Sequence, residues 1–192
     1  MAKTWTSTYG RPGVPDKPPL IYADACVYLD LITRNENPHQ DTGEPRWRIA
    51  QSLFQTADSG QVRLAASALI EAEVLCNGAT QARRERSERV ASRLRTWFSS
   101  PKTLWVDMDR LIAREAARLS EEYAHLREGQ KRFSAADAMH LAAALRAQCN
   151  YLMTHDKGYP ANQVIEGLTV CRPKVVWAET LFDAAEETGQ PS

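Results

Sequence analysis

Nowhere does this chain gather the roughly 18 to 20 consecutive apolar residues needed to span a bilayer. Its polar first residues also lack the apolar run of a signal peptide. Neither membrane insertion nor export is expected, which leaves the cytoplasm as the expected compartment. Net charge is missing too, since 24 Lys and Arg balance 24 Asp and Glu. No global field draws the protein to nucleic acid or lipid, so any such attraction must be local. The four cysteines, Cys26, Cys76, Cys149 and Cys171, stand far apart, with no CxxC and no zinc-finger interval. They read as reduced thiols of a cytosolic protein. A Gly-rich phosphate loop of the P-loop type is absent, which removes that route to phosphoryl transfer. There is no internal repeat.

What is present suits one domain. A chain of 192 residues with 43% apolar composition can bury a single sizeable core. Residues 1–19 hold Gly10, Pro12, Gly13, Pro15, Pro18 and Pro19 without a sustained apolar period, the signature of an extended arm. The domain proper is expected over residues 20–182, followed by a polar tail over 183–192. Leu20-Ile21-Tyr22-Ala23 reads as a buried strand with Asp24 at the head of a helix reaching about Ile32. A second helix is expected from Arg46 to Asp58. Val62 to Ala66 reads as a strand, and Ser67 is placed to cap the helix carrying Glu71 and Glu73. An arginine-rich helix follows over 81–98, then a strand at Leu104-Trp105-Val106 and a helix from Asp109 to about Arg127. Ser134 opens a helix running through Asp137 and His140 to about Ala147. Strands at 151–154 and 168–171 close the pattern. Alternation of this kind predicts an α/β fold of three layers, α/β/α, around a mostly parallel sheet of four or five strands.

In such sheets ligands bind beyond the carboxyl ends of the strands, and Asp24 and Asp156 both sit at such ends. Glu73, two turns into its helix, and Asp137, in the first turn of its own, are placed to point at the same rim. Carboxylates gathered within a few ångströms repel one another unless a divalent cation neutralises them. Oxygen ligands suit Mg²⁺ or Mn²⁺ rather than zinc. Each acid also has a plain structural role open to it. Asp24 can cap its helix, Asp137 can complete a capping box with Ser134, Asp156 can serve a turn before Gly158, and Glu73 can be a solvated helix position.

Four segments taken in order resemble the PIN-domain nucleases, in particular the VapC class of toxin ribonucleases. Leu20 to Leu29 looks like the family's opening strand with its first aspartate, and Ser67 to Leu75 like its serine-to-glutamate helix. Ser134 to Ala144 looks like the third acidic motif, and Leu152-Met153-Thr154-His155-Asp156-Lys157 like the fourth. The correspondence covers roughly residues 20 to 175. It implies that Asp24, Glu73, Asp137 and Asp156 are the catalytic and metal-binding acids, with Mg²⁺ or Mn²⁺ as cofactor and Thr154 and His155 as supporting neighbours. It further implies an RNA substrate, a VapB-like antitoxin partner and a homodimer. A PIN-like module that binds nucleic acid or protein without cutting is the alternative. Position 26 is Cys where the family often has Asn, and position 155 is His where Asn is frequent.

Other polar residues read as structural. Asp109 suits a helix cap, which leaves the Asp107/Asp109 pair without chemistry, and His140, three residues after Asp137, reads first as a packed side chain. The five tryptophans suit the core rather than base stacking. The arginines between 83 and 95 interleave with Glu85 and Glu88 as a self-paired solvated face, whereas Lys131 and Arg132 are better placed to touch a substrate backbone. Glu71 and Glu73 are about 200° apart on a helix of 3.6 residues per turn, so only one can face the rim. The family pattern has its glutamate followed directly by two aliphatic residues, as Glu73 is by Val74 and Leu75, so the resemblance implies that Glu73→Gln impairs RNA cleavage far more than Glu71→Gln. A larger loss for Glu71→Gln in a cleavage assay of the two purified variants would reverse the choice.

Overall fold

The computed structural model describes residues 17–81, 92, 94–123, 125, 134–159 and 162–176. The expected arm up to residue 16, most of the arginine-rich helix, Lys131, Arg132 and the C-terminal tail lie outside the described residues. Strand β1, Leu20–Ala23, is buried at all four positions. That is the profile of a strand covered on both faces, and it explains why its sequence is continuously apolar rather than alternating. β1 pairs in parallel with β2 (Arg63–Ser67) on one side and with β4 (Tyr151–Met153) on the other. β2 continues to β3 (Leu104–Val106), also parallel, and β4 to β6 (Leu168–Cys171), likewise parallel. β5 (Gln163–Ile165) pairs antiparallel with β6 and closes the order β3-β2-β1-β4-β6-β5.

The sheet thus has six strands, one more than expected. The extra one, β5, is a three-residue strand exposed at two of its positions, so it carries little apolar pattern. It forms through a tight hairpin in which Glu166 (φ 49°) and Gly167 (φ 87°) both take left-handed backbone. Gly167 meets that demand without a Cβ penalty. Glu166 is the less suited of the two, which hides the turn from a sequence reading.

The helices begin where their caps stand. Asp24 caps α1 (Ala25–Thr33), which ends in a left-handed Arg34. α2 spans Arg46–Asp58, as expected, and α3 spans Ala68–Gln81. Asp109 Oδ1 accepts from the amides of Leu111 and Ile112 and so starts α4, Arg110–Tyr123. Ser134 and Asp137 form a complete capping box at the head of α5, Ala135–Arg146. α1 packs on α2 and α3, and α4 packs on α5. Crossovers between parallel strands are right-handed, so the chain lays α1 to α3 on one face as it steps from β1 out to β3. It lays α4 and α5 on the other as it returns to β4.

The core runs through both layers. Ile21, Tyr22, Leu53, Ile70, Leu141 and Leu152 are all fully buried. At one flank Trp97 stacks on Phe54 at 4.5 Å, and Tyr28 packs against Phe54 at 4.7 Å. Trp97 Nε1 donates to Asp58, so this tryptophan serves the core, whereas Trp105 on the edge strand is 40% exposed. No helix among the described residues is long and apolar enough to cross a membrane.

Central and edge strands should respond very differently to truncation. Leu152→Ala, in the middle of the sheet, is expected to cost about 2–5 kcal/mol, the range for deleting a buried leucine side chain. Val164→Ala, 68% exposed on β5, is expected to stay within about 0.5 kcal/mol of the parent. Chemical denaturation of both variants measures the contrast.

Candidate functional site

The strand order reverses between β1 and β4. From β1 the chain builds outward to β2 and β3, and then returns to lay β4 on the other side of β1. At such a switch point the loops after the two strands diverge to opposite faces and leave a crevice at the carboxyl rim. Asp24 follows β1 directly, and Thr154, His155 and Asp156 follow β4.

Asp24 is 7% exposed and its carboxylate is held on three sides. Oδ1 accepts from the amide of Ala25 at 2.7 Å, while Oδ2 accepts from the Thr154 hydroxyl at 2.7 Å and the Cys26 thiol at 3.4 Å. Its capping role and its place at the rim are therefore one arrangement. Cys26 does what an asparagine amide would do there: it donates to Asp24 and, through the same sulfur, accepts from the amide of His155 at 3.4 Å. Burial and the neighbouring charge of Asp24 push its thiol well up, so it remains a protonated donor.

Glu73 reaches the rim from α3. Its Oε2 lies 3.1 Å from His140 Nε2, and the same nitrogen lies 3.8 Å from Asp24 Oδ1. His140 comes from α5, one turn beyond Asp137, and is 1% exposed. Behind it Nδ1 is 2.9 Å from the Tyr22 hydroxyl, which is in turn 2.8 Å from Ser67 Oγ. β1, β2, α3 and α5 thus each send one side chain into a single chain of polar atoms, buried from Ser67 through Tyr22 to His140 and half-buried at Glu73. Tyr22 is hidden in an apolar strand and carries no sequence signal of function, and for His140 the sequence favours a packed side chain over one that lines the site. The signal available for His140 was its spacing of three from Asp137.

The other two acids flank this group. Asp137 Oδ2 accepts from the amide of Ser134 at 2.9 Å, and its charge acts on both His140 and the buried Tyr159. Asp156 Oδ1 accepts from the amide of Gly158 at 2.8 Å. Its own amide donates to Thr154 Oγ1 at 2.9 Å, so one hydroxyl ties Asp156 to Asp24. The turn role of Asp156 and the capping box of Asp137 are both present. The ring of His155 turns away from the rim, stacking edge-on against His39 at 5.2 Å, with Nε2 3.2 Å from Asp30. Burial and the nearby Arg46 hold it at about 3, hence neutral. Only the backbone of His155 belongs to the site.

Among the described residues, Asp24, Glu73 and His140 form the group whose donor atoms all lie within 4.8 Å of one another. Burial by itself would push the imidazole of His140 down. The hydrogen bond that His140 donates to Glu73 and the charges of Asp24, Glu73 and Asp137 overcome that, and its pKa is raised. Three carboxylates acting on one buried ring make a place that favours positive charge. Two carboxylate oxygens and an imidazole nitrogen are a donor set that fits a divalent cation, with the oxygens matched to Mg²⁺ or Mn²⁺. A separate open cleft, lined by Pro18, Asp58, Arg63, Trp97 and Lys102, lies at the amino ends of β1 and β2 and includes none of these acids.

This architecture is that of a three-layer α/β domain with an acidic rim at its switch point. The PIN domain family matches residues 21–164, and the chain belongs to that family. Solved structures with a similar fold include VapBC2 from Rickettsia felis bound to a DNA fragment from its promoter. It is 16% identical, covers 80% of this chain and 98% of that one, and has a TM-score of 0.50. FitAB bound to an IR36 DNA fragment is 20% identical over 80% of this chain and 94% of that one, with a TM-score of 0.51. VapC20 of Mycobacterium tuberculosis, described as a Sarcin-Ricin loop cleaving toxin, is 14% identical over 71% and 89%, with a TM-score of 0.48. No curated protein matches the chain at a significant level.

Thr154 is 3% exposed and serves two partners at once. Thr154→Val keeps its shape but leaves the amide of Asp156 without its acceptor and Asp24 without its shortest side-chain donor. The expected cost is about 1–3 kcal/mol, the range for stranding a buried polar partner. Thr154→Ser should recover most of it in equilibrium unfolding.

Proposed function

We propose that this protein is a divalent-metal-dependent endoribonuclease of the VapC kind, with Asp24, Glu73, Asp137 and Asp156 as its functional acids. The observation that carries the reading is the meeting of Asp24, Glu73 and His140 at the carboxyl rim where the strand order reverses. A surface charge pair or a cap would not require a buried histidine between two carboxylates from different elements. Membership of the PIN domain family supports the same reading.

In this reading Asp24 and Glu73 would hold Mg²⁺ or Mn²⁺, and Asp137 and Asp156 would add negative charge to the site. When bound, the ion supplies charge neutralisation at the scissile phosphate and activation of a water for in-line attack. The residues around it supply order. Thr154 and Cys26 fix the Asp24 carboxylate, and the capping box sets the rotamer of Asp137. Backbone between Thr154 and Gly158 is pinned by its own turn, which holds Asp156 at the rim. No serine or histidine nucleophile is needed.

An antitoxin of the VapB kind that covers the rim, association into a homodimer and residence in the cytoplasm belong to the same proposal. The VapBC2 and FitAB structures share this fold, which supports looking for such a partner.

Incubation of the purified chain with structured and unstructured RNAs, in Mg²⁺, Mn²⁺ or chelator, tests the activity. Cleavage is expected with either ion and none with chelator. Asp24→Asn and Asp137→Asn should lower it by about a hundredfold or more, at or beyond the upper end of losses seen around metal centres, with the fold retained by circular dichroism. A well-folded Asp24→Asn protein of full activity would remove Asp24 from the site. A wild type that binds RNA without cutting it would return the non-cleaving reading.

A further inference from the structure

The reading above accounts for the acids of the rim but leaves His140 without a task. Its two ring nitrogens face different worlds. Nε2 points at Glu73 Oε2 and Asp24 Oδ1, 3.1 and 3.8 Å away. Nδ1 points back into the core at the Tyr22 hydroxyl, 2.9 Å away. That hydroxyl meets Ser67 Oγ at 2.8 Å, and Ser67 Oγ also accepts from the amide of Ile70 at 3.4 Å.

The direction of each bond follows from what the groups can do. An ionised carboxylate only accepts, so Nε2 carries a proton when it faces Glu73 alone. On the neutral ring Nδ1 then accepts from Tyr22, and Tyr22 accepts from Ser67. Tyrosine and serine hydroxyls are rotors that donate or accept equally well. With the ring proton on Nδ1 instead, Nδ1 donates to Tyr22, Tyr22 donates to Ser67, and the lone pair of Nε2 is exposed to the two carboxylates. The proton count is the same in both arrangements. The second is that of a metal-ligating imidazole, whose far nitrogen donates to a neighbour that fixes its tautomer and orientation.

The spacing agrees. Donors held about 2.1 Å from an octahedral ion stand about 3.0 Å apart when adjacent and about 4.2 Å when opposed. The 3.1 Å from Nε2 to Glu73 Oε2 is close to the adjacent spacing, and the 3.8 Å to Asp24 Oδ1 falls between the two, so the Asp24 oxygen would shift slightly on binding.

We infer that His140 is a nitrogen donor to the metal, backed by Tyr22 as a positioning residue, and that it makes the centre prefer a first-row transition cation such as Mn²⁺ to Mg²⁺. The inference rests on the reading of the rim as a metal centre. Imidazole suits transition cations, whereas Mg²⁺ favours an oxygen shell with several waters, so one nitrogen donor shifts the balance without excluding either ion. With an ion bound, Glu73 and His140 would both be its ligands in place of the hydrogen bond between them.

Mn²⁺ is both the probe and a spectroscopic reporter. Purified full-length chain loaded with Mn²⁺ is expected to show nitrogen hyperfine coupling by pulsed electron paramagnetic resonance. His140→Gln should abolish the coupling and lower Mn²⁺ affinity by about tenfold or more in calorimetric titration, with Mg²⁺ affinity changed by less than about threefold. Tyr22→Phe should keep the coupling and weaken Mn²⁺ binding by up to about tenfold, because the ring has lost the partner behind it. The wild-type spectrum decides the matter even if a variant does not fold. Mn²⁺ bound without nitrogen coupling, coupling that survives His140→Gln, or no Mn²⁺ binding at all would each overturn the assignment. RNA cleavage by the same sample separates this inference from the one it rests on. Nitrogen coupling without cleavage leaves His140 a ligand and removes the ribonuclease reading; cleavage without coupling does the reverse.

Discussion

The parallel pairing of β1 with β4 holds the functional end of this molecule together. The amide of Asp24 donates to the carbonyl of Met153 at 2.9 Å, continuing the ladder one residue past the register pair Ala23 and Met153. That bond brings the loops after both strands to the same height, so the Thr154 hydroxyl meets Asp24. Everything else at the rim is placed relative to it. β2 on the other side of β1 brings Ser67 to Tyr22, α3 follows Ser67 and brings Glu73, and α5 returns His140 over the top.

The cost of this arrangement is polar burial. Asp24, Ser67, Asp137, His140 and Thr154 are all at or below 9% exposure. Isolated, each would oppose folding; linked, each has a partner, and such networks rigidify a site when fully satisfied. The repulsion among the carboxylates remains, tempered by His140. The site is thus stiff in its backbone and hydrogen bonds while its charge still favours a cation, which is the combination a preorganised metal centre needs.

A second buried group follows a different logic. Asp30, His39 and His155 lie together beneath the rim, and burial raises Asp30 while it lowers both histidines. The drift is toward neutrality, as desolvation dictates when like and unlike charges do not dominate. His155 therefore contributes a backbone amide to the site and a neutral ring to packing. This division within one residue shows why adjacency in sequence to Asp156 is a poor guide to function.

Much was legible in the chain itself, for reasons that are local. Caps and apolar runs are short-range signals, so Asp24, Ser134 and Asp109 marked their helices correctly, and α2 fell at its expected bounds. The choice of Glu73 over Glu71 came from the two aliphatic residues that follow it in the family pattern, since helical geometry says only that the two cannot face one rim together; Glu73 is the one that contacts His140. What the sequence could not decide was which polar atoms meet. Tyr22 looks like one more apolar strand residue and His140 like a packed side chain, because their roles arise from pairs 118 and 67 residues apart in sequence. β5 was invisible because an exposed three-residue strand needs only a partner, not a pattern. Local signals marked the ends of the elements, and the order of four motifs pointed to the acids; only the parallel ladder and the crossing of α3 and α5 decided that a histidine, held by a tyrosine, sits between two of them.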